Sequence, residues 1–440
     1  MRHKTLSFII LQLFILIASI PATAQEQSID LALAGKYFQE AAVICRQDDG
    51  QLWGHSLCGP MIFFDPATRT VVANQSDREG RLTKKGDVFV GRVPDEVNCA
   101  NTAIDWAGVH WSMIFWPYFG DDKYDRDRLM IHESFHRIQD ELGLPMSNPS
   151  NNHLDTIEGR IWLQLEWRAL SRALTHQGRE RLDAMADALV FRLYRRALFP
   201  QAAAEEKALE MNEGLAEYTG VKLSGRTDAE LYAFLARRLE HVNERPTFTR
   251  SFAYESGPAY GLLLDGANLN WRAHLKSSDD LGQLLQKSLS LKLPGDLKVE
   301  AERRAAKYDG ENLRATEAKR ESERLARIAA YRAKLVEGAR LILPLTKEVN
   351  YSFNPNNLVP LDEIGTIYPT MRVTDAWGIL DVKGGALMVR ENNKPALLYV
   401  PVARDVNARP LQGDGWTLQL KDGWTLEPAE RKGDYQLKKK

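Results

Sequence analysis

The stretch Leu129-Met130-Ile131-His132-Glu133-Ser134-Phe135-His136-Arg137 is a complete H-E-x-x-H set inside a helical pattern. Its two histidines stand four residues apart. On a 3.6-residue helix, both imidazoles therefore leave one face and can reach a common point. Ile131, Phe135, Ile138 and Leu142 form an apolar stripe at i, i+4, i+7 and i+11 that supplies the core face. Asp125 or Asp127 is placed to cap the first turn, and Gly143 with Pro145 ends the helix. With 9 His and 59 acidic residues in 440, a chance match is on the order of 1 in 100.

Two imidazoles on one face suit a divalent metal, and zinc is the expected ion. The competing reading is a helix whose histidines merely satisfy core hydrogen bonds. Glu133 lies beside the pair. A carboxylate there can take a proton from a water activated by the metal and pass it to a leaving amine. That chemistry is hydrolytic, and a peptide bond is the expected target.

Working outward, the first 24 residues read as an export signal. Arg2, His3 and Lys4 form a positive start, Leu6 to Ile20 is an apolar run short for a bilayer span, and Ala22-Thr23-Ala24 is a small-x-small cleavage site. A periplasmic or secreted protein is expected, without a stable membrane span after cleavage; the alternative is an uncleaved anchor. A net charge of −1, with 27% charged residues, gives no sign of nucleic acid as a partner. Composition leaves the oligomeric state open.

Cys45, Cys58 and Cys99 are the only cysteines, and none sits at metal-ligand spacing. Three pairings are possible. Cys45 with Cys58 is preferred because only a short turn around Asp48-Asp49-Gly50 separates them.

A helix over about Ser28 to Ile44 precedes strands and turns in 51–117, including a hairpin of Met61–Phe64 with Thr70–Ala73. Ala107 to Trp116 reads as a central or edge strand covered on both faces, which an extended substrate could join by β-augmentation. Its tryptophans, Trp106, Trp111 and Trp116, are more simply core. From 125 to 291 the pattern is helical, with segments 155–174, 179–198, 201–218, 228–243, 257–275 and 280–291. Residues 292–341 read as a charged connector, a solvated helical hairpin broken at Asp309-Gly310. Residues 342–440 read as a small β domain, where Gly-Trp-Thr-Leu recurs at 415 and 423 as the two arms of a hairpin.

Two histidines leave a zinc site short of a protein ligand. The best third donor is Glu213 in Met211-Asn212-Glu213-Gly214-Leu215-Ala216-Glu217-Tyr218; Glu158 and Glu166 are rivals at closer spacing. Gly214 would let the two helices approach, and Glu217, one turn on, could hydrogen-bond a histidine ligand. His153 and Asp155 read as capping residues.

Here the chain resembles the gluzincin metallopeptidases, in which a helix downstream of H-E-x-x-H carries the glutamate ligand as Asn-Glu-Gly-x-Ala. The resemblance implies a zincin-like catalytic domain over 25–291, with zinc on His132, His136 and Glu213 and with Glu133 as base and then acid. Phe252-Ala253-Tyr254-Glu255-Ser256-Gly257 is similar to the Tyr-Glu-Lys-Gly segment of the aminopeptidase branch. That likeness implies Tyr254, read as a loop residue, as the oxyanion donor; Tyr260 and His241 are alternates. The Gly-x-Met-Glu-Asn segment that reads a free substrate amine in that branch is absent. Many relatives place Asp where Glu217 stands, and the gap from His136 to Glu213 is longer than in compact members. The inserted helices could roof the cleft.

The expectation is thus an α+β protein: an exported zinc hydrolase acting on a peptide or protein substrate. Its rivals are a zinc-containing, chaperone-like protein that binds polypeptide with little or latent cleavage, and a binding protein in which the β domain acts alone.

Overall fold

The computed structural model describes residues 29–440 except 95–96, 98, 242–244, 268–269, 348, 354–356, 362–363 and 392–393. The export signal expected at 1–24 lies outside the described residues. The fold is α+β: an N-terminal sheet, a helical middle and C-terminal all-β sheets. No described helix is long and apolar enough to cross a membrane.

Helix α1 (Leu31–Asp48) leads into β1 (Met61–Phe64), β2 (Thr70–Ala73), β3 (Thr83–Lys85), β4 (Val88–Arg92), β5 (Thr102–Trp106) and β6 (Val109–Phe115). These strands form one sheet in the order β3-β4-β2-β1-β6-β5. The hairpin of β1 and β2 is present, in register Phe63 to Val72. β6 is interior, paired with β1 and β5, so its backbone groups are taken and it cannot receive an extended substrate. The edge beside it is β5. Trp111 is fully buried and Trp106 nearly so, which places them in the core.

Helix α2 (Lys123–Ile138) carries the histidines. Its cap is neither Asp125 nor Asp127, because the helix begins before both. Asp122 caps it instead, accepting from the Asp125 amide at 2.8 Å, while Asp127 is buried and paired with Lys123. Cys45 and Cys58 form a disulfide. The loop it closes inserts Trp53, whose Nε1 donates to Thr219 Oγ1 at 2.9 Å and whose ring lies 5.2 Å from that of Phe135.

The helical body continues with α3 (Ile157–Thr175), α4 (Gly178–Leu198), α5 (Ala202–Leu209), α6 (Leu215–Lys222), α7 (Asp228–His241), α8 (Ser251–Ala267) and α9 (Leu281–Ser288). A π-helical turn, Glu210–Gly214, joins α5 to α6. α8 begins six residues before the expected Gly257 and ends before 275, so Tyr254 is helical. Pro258 lies inside it, and a proline cannot donate to the carbonyl four residues back. That carbonyl, on Tyr254, accepts from Arg238 Nη2 at 3.2 Å instead, so the helix passes through the proline.

The connector is helical, as α10 (Leu297–Ala305) and α11 (Gly310–Arg332), broken at Asp309 in the left-handed region. It is not solvated throughout. Tyr308 and Leu313 are buried in the core of the helical body, and Glu317 is buried against Arg160 at 3.0 Å. Beyond it, a seven-stranded and a five-stranded sheet enclose a second core with Trp377 and Trp416. The recurring Gly-Trp-Thr-Leu segments are not hairpin partners: Trp416–Leu420 belongs to the five-stranded sheet, whereas Trp424–Pro428 pairs with Tyr435–Lys439 in the other.

Candidate metal centre

α2 and α6 lie in close contact because of Gly220, where a Cβ would fall 2.4 Å from the carbonyl oxygen of Arg128. Gly214 serves a different interface from the one read in the sequence. It faces α8, where a Cβ on Gly257 would fall 2.4 Å from the Gly214 Cα. Two glycine contacts thus bring three helices to one point.

The π turn decides which acids reach that point. In an uninterrupted α-helix, Glu206, Glu210, Glu213 and Glu217 would share one face, at i, i+4, i+7 and i+11. A π turn inserts a residue and shifts the register. Glu206 and Glu210 accordingly turn toward Arg192, Arg195 and Arg196 in a buried ionic cluster. Glu213 and Glu217 turn toward His132.

His132 Nε2, His136 Nε2 and Glu213 Oε2 form a triangle with sides of 3.2, 3.5 and 3.6 Å. Ligand atoms at tetrahedral angles around a zinc at roughly 2.0–2.1 Å stand roughly 3.3 Å apart. The three donors therefore match the spacing of one metal site.

Hydrogen bonds fix which imidazole nitrogens carry protons. His132 Nδ1 lies 3.0 Å from Glu217 Oε2, a carboxylate that can only accept. His136 Nδ1 is fixed through two successive amide side chains, Gln139 and Asn212. The Ser147 carbonyl accepts from Asn212 Nδ2 at 3.1 Å, so Asn212 Oδ1 accepts from Gln139 Nε2 at 3.1 Å, and Gln139 Oε1 is left to accept from His136 Nδ1 at 2.8 Å. With both Nδ1 atoms donating, neutral rings present two Nε2 lone pairs to each other, beside a carboxylate oxygen. A positive charge between them, supplied by a proton on one ring or by a metal ion, relieves that arrangement.

The electrostatics point the same way. Burial opposes a charge on His132, but hydrogen bonds to Glu213 and Glu217 outweigh it and push its pKa up to about 10. Glu217, fully buried, is held well below the usual carboxylate range against the cost of burial, with Arg128 at 2.7 Å and Arg238 at 2.6 Å as its cationic partners. Glu133 is different. It is 3% exposed, its Oε2 has no partner among the described residues, and burial raises its pKa. A buried, unpaired carboxyl whose proton affinity is raised suits a base.

Tyr254 stacks on His132 with ring centroids 5.6 Å apart, and its hydroxyl donates to Glu213 Oε2 at 2.5 Å. Burial and the Glu213 carboxylate both raise the Tyr254 pKa, so the hydroxyl keeps its proton and remains a donor. Arg250 Nη2 donates to the other oxygen, Glu213 Oε1, at 3.0 Å. Above these groups opens a cavity of about 450 Å³, bordered by Asn101 ahead of β5 and by Arg245 ahead of α8.

The rival residues lie elsewhere. Glu158 accepts from Trp162, and Glu166 and Tyr260 bond each other within the buried arginine cluster. His241 is exposed on α7 and donates to the Arg237 carbonyl. His153 pairs with Glu206, and Asp155 accepts from Thr247 and Phe248, while Thr156 caps α3. None of the cavity's lining residues comes from α3 or α4, so the inserted helices build the core and do not roof the cleft.

Sequence reading missed Gln139, Arg128, Arg238 and the π turn. Gln139 carried a faint signal, one turn beyond His136. The four-acid stripe was another, since four acids cannot all serve one three-donor site. No protein-family model, curated protein or solved structure matches the chain.

Proposed function

We propose that the chain is an exported zinc-dependent metallohydrolase, and within that class a peptidase. The observation that carries the reading is the convergence of His132 Nε2, His136 Nε2 and Glu213 Oε2 beside a buried Glu133, whose Oε2 has no partner among the described residues, in an open cavity. In this reading His132, His136 and Glu213 hold the ion. Zinc supplies Lewis acidity, which makes water a usable nucleophile near neutral pH and polarises a carbonyl.

The other steps belong to the chain. Glu133 takes the proton of the attacking water and returns it to the leaving amine. The Tyr254 hydroxyl, which donates to Glu213 Oε2, would turn that one proton to the developing oxyanion. Glu217 and Gln139 keep the imidazoles in the ligating tautomer and orientation. The outer edge of β5, which no described strand pairs, offers backbone groups to an extended peptide, the role first read for β6.

The test is mass spectrometry of a mixed peptide library incubated with zinc-loaded protein and, in parallel, with Glu133→Gln. Cleavage by the wild type alone supports the peptidase, and the cut positions separate internal from terminal action. Equal silence from both, at one zinc per chain, would turn the reading toward polypeptide binding without turnover.

A further inference from the structure

The cavity over the three donors is charged in layers. Its carboxylates form the floor: Glu133, Glu213 and Glu217 are 3, 7 and 0% exposed. Arg128 and Arg238 also border the cavity, but both are committed to Glu217. Arg245 and Arg250 are not so enclosed. Their side chains keep 49 and 54% exposure, and their carboxylate contacts, to Glu255 Oε1 and Glu213 Oε1, are at 3.0 Å. A group entering the cavity meets guanidinium before it meets carboxylate.

The segment that carries both arginines is anchored. Asp155 accepts from the Phe248 amide at 2.8 Å and from the Thr247 hydroxyl at 2.5 Å. Phe248 is fully buried, with the Arg160 guanidinium 3.6 Å from its ring centroid and Trp167 packed edge-on at 4.9 Å. The two long side chains therefore project from a fixed base, which lowers the ordering cost of using them.

We infer that this cavity selects substrates bearing a carboxylate close to the bond attacked, with Arg245 and Arg250 as its anchors. The inference rests on the peptidase reading above. Planar guanidinium groups bind carboxylates through paired, charge-assisted hydrogen bonds, so two half-exposed ones favour this ligand chemistry. Arg250 touches Oε1 of the carboxylate whose Oε2 faces both histidines, so the anchored group lies about one residue from the reacting centre. A cation beside Glu213 would offset the charge Arg250 now faces, leaving that guanidinium more attractive to a substrate anion. The carboxylate can belong to an acidic side chain or to the end of the substrate chain.

Binding to zinc-loaded Glu133→Gln protein separates these cases without turnover. Four labelled peptides of one parent sequence are compared by fluorescence anisotropy: a neutral carboxyl-terminal amide, the same with an internal Glu, the same with an internal Lys, and the free carboxyl-terminal acid. At least one acid-bearing peptide is expected to bind roughly tenfold tighter than the neutral amide, and to lose that advantage as salt rises. Tighter binding of the Glu peptide alone assigns a side-chain carboxylate; of the free acid alone, a chain end. Arg245→Gln and Arg250→Gln should each shrink the preference, with zinc content measured in both because Arg250 touches Glu213. Equal affinities, a preference for the Lys peptide, or a preference intact in both variants overturns acid recognition and leaves the peptidase reading standing. Failure to bind any of the four overturns both.

Discussion

Gly214 and Gly257 meet backbone to backbone: a Cβ on Gly257 would lie 2.4 Å from the Gly214 Cα. This crossing brings Tyr254, three residues before Gly257, onto Glu213, the residue before Gly214. Space and chemistry are therefore coupled at one contact. Gly257→Ala should force α8 away from the π turn, cost about 1–3 kcal/mol by overpacking, and weaken zinc binding as well. Thermal unfolding of the apo protein together with a zinc titration checks both effects. Gly120→Ala, where a Cβ would meet nothing within 4 Å, is the control and should change neither.

Glu133 and His136 sit one turn apart on α2 but should fail differently. Glu133→Gln keeps every donor of the triangle, so zinc stoichiometry should stay at one per chain while turnover falls by about 10²–10⁴-fold. His136→Ala removes a donor and should lose both. Zinc content by atomic emission, with peptide cleavage on the same samples, reads the difference; a fully active Glu133→Gln would sink the proposed mechanism.

Glu217 contributes no donor to the triangle, yet its Oε2 fixes the His132 tautomer and its charge is matched by Arg128 and Arg238. Replacing it with Gln keeps the shape but removes that charge, so the partly buried Arg128 and Arg238 each lose a carboxylate partner, Arg238 retaining Glu255. Zinc affinity is expected to drop about 10–100-fold. A competition titration against a chromophoric chelator measures it, and an unchanged affinity would assign Glu217 a purely structural part.

Much of this arrangement is local and therefore legible in sequence. The H-E-x-x-H spacing puts two imidazoles together by helix geometry alone, and an i, i+4 relation aligns Glu213 with Glu217. What stayed hidden depends on tertiary partners. The segment 257–275 starts too late because the helix runs through Pro258, whose missing donor normally breaks a helix; Arg238, twenty residues earlier in the chain, supplies the replacement. The π turn is equally invisible in a stripe of acids, since the arginines that draw Glu206 and Glu210 aside lie on α4. The edge position of β5 follows from strand order, which alternation within one strand does not encode. Gly-Trp-Thr-Leu recurs 8 residues apart, as in a hairpin, but the two copies are divided between two sheets.

Asp434 ties the end of the chain to the start of the β domain, and its titration should be visible in stability. Its carboxylate is 1% exposed and accepts from the Arg340 amide and Nε, each at 3.1 Å, and from Arg431 at 2.8 Å. Burial alone would raise its pKa, but Arg431 and Arg340 outweigh burial and hold it below the ordinary value. A carboxyl depressed in the folded state stabilises fully above its unfolded pKa, about 3.9, and loses that contribution as pH falls through the folded value. Asp434→Asn should therefore destabilise the β domain by about 1.5–3 kcal/mol near neutral pH. The gap between variant and wild type should narrow as pH drops below about 4, where the wild-type carboxyl begins to protonate too. Urea unfolding at several pH values, followed by the intrinsic fluorescence of the ten tryptophans, Trp377 and Trp416 among them, reads that gap. A gap that stays constant down to the acid limit would mean that the Asp434 charge contributes nothing and that its hydrogen-bond geometry alone matters.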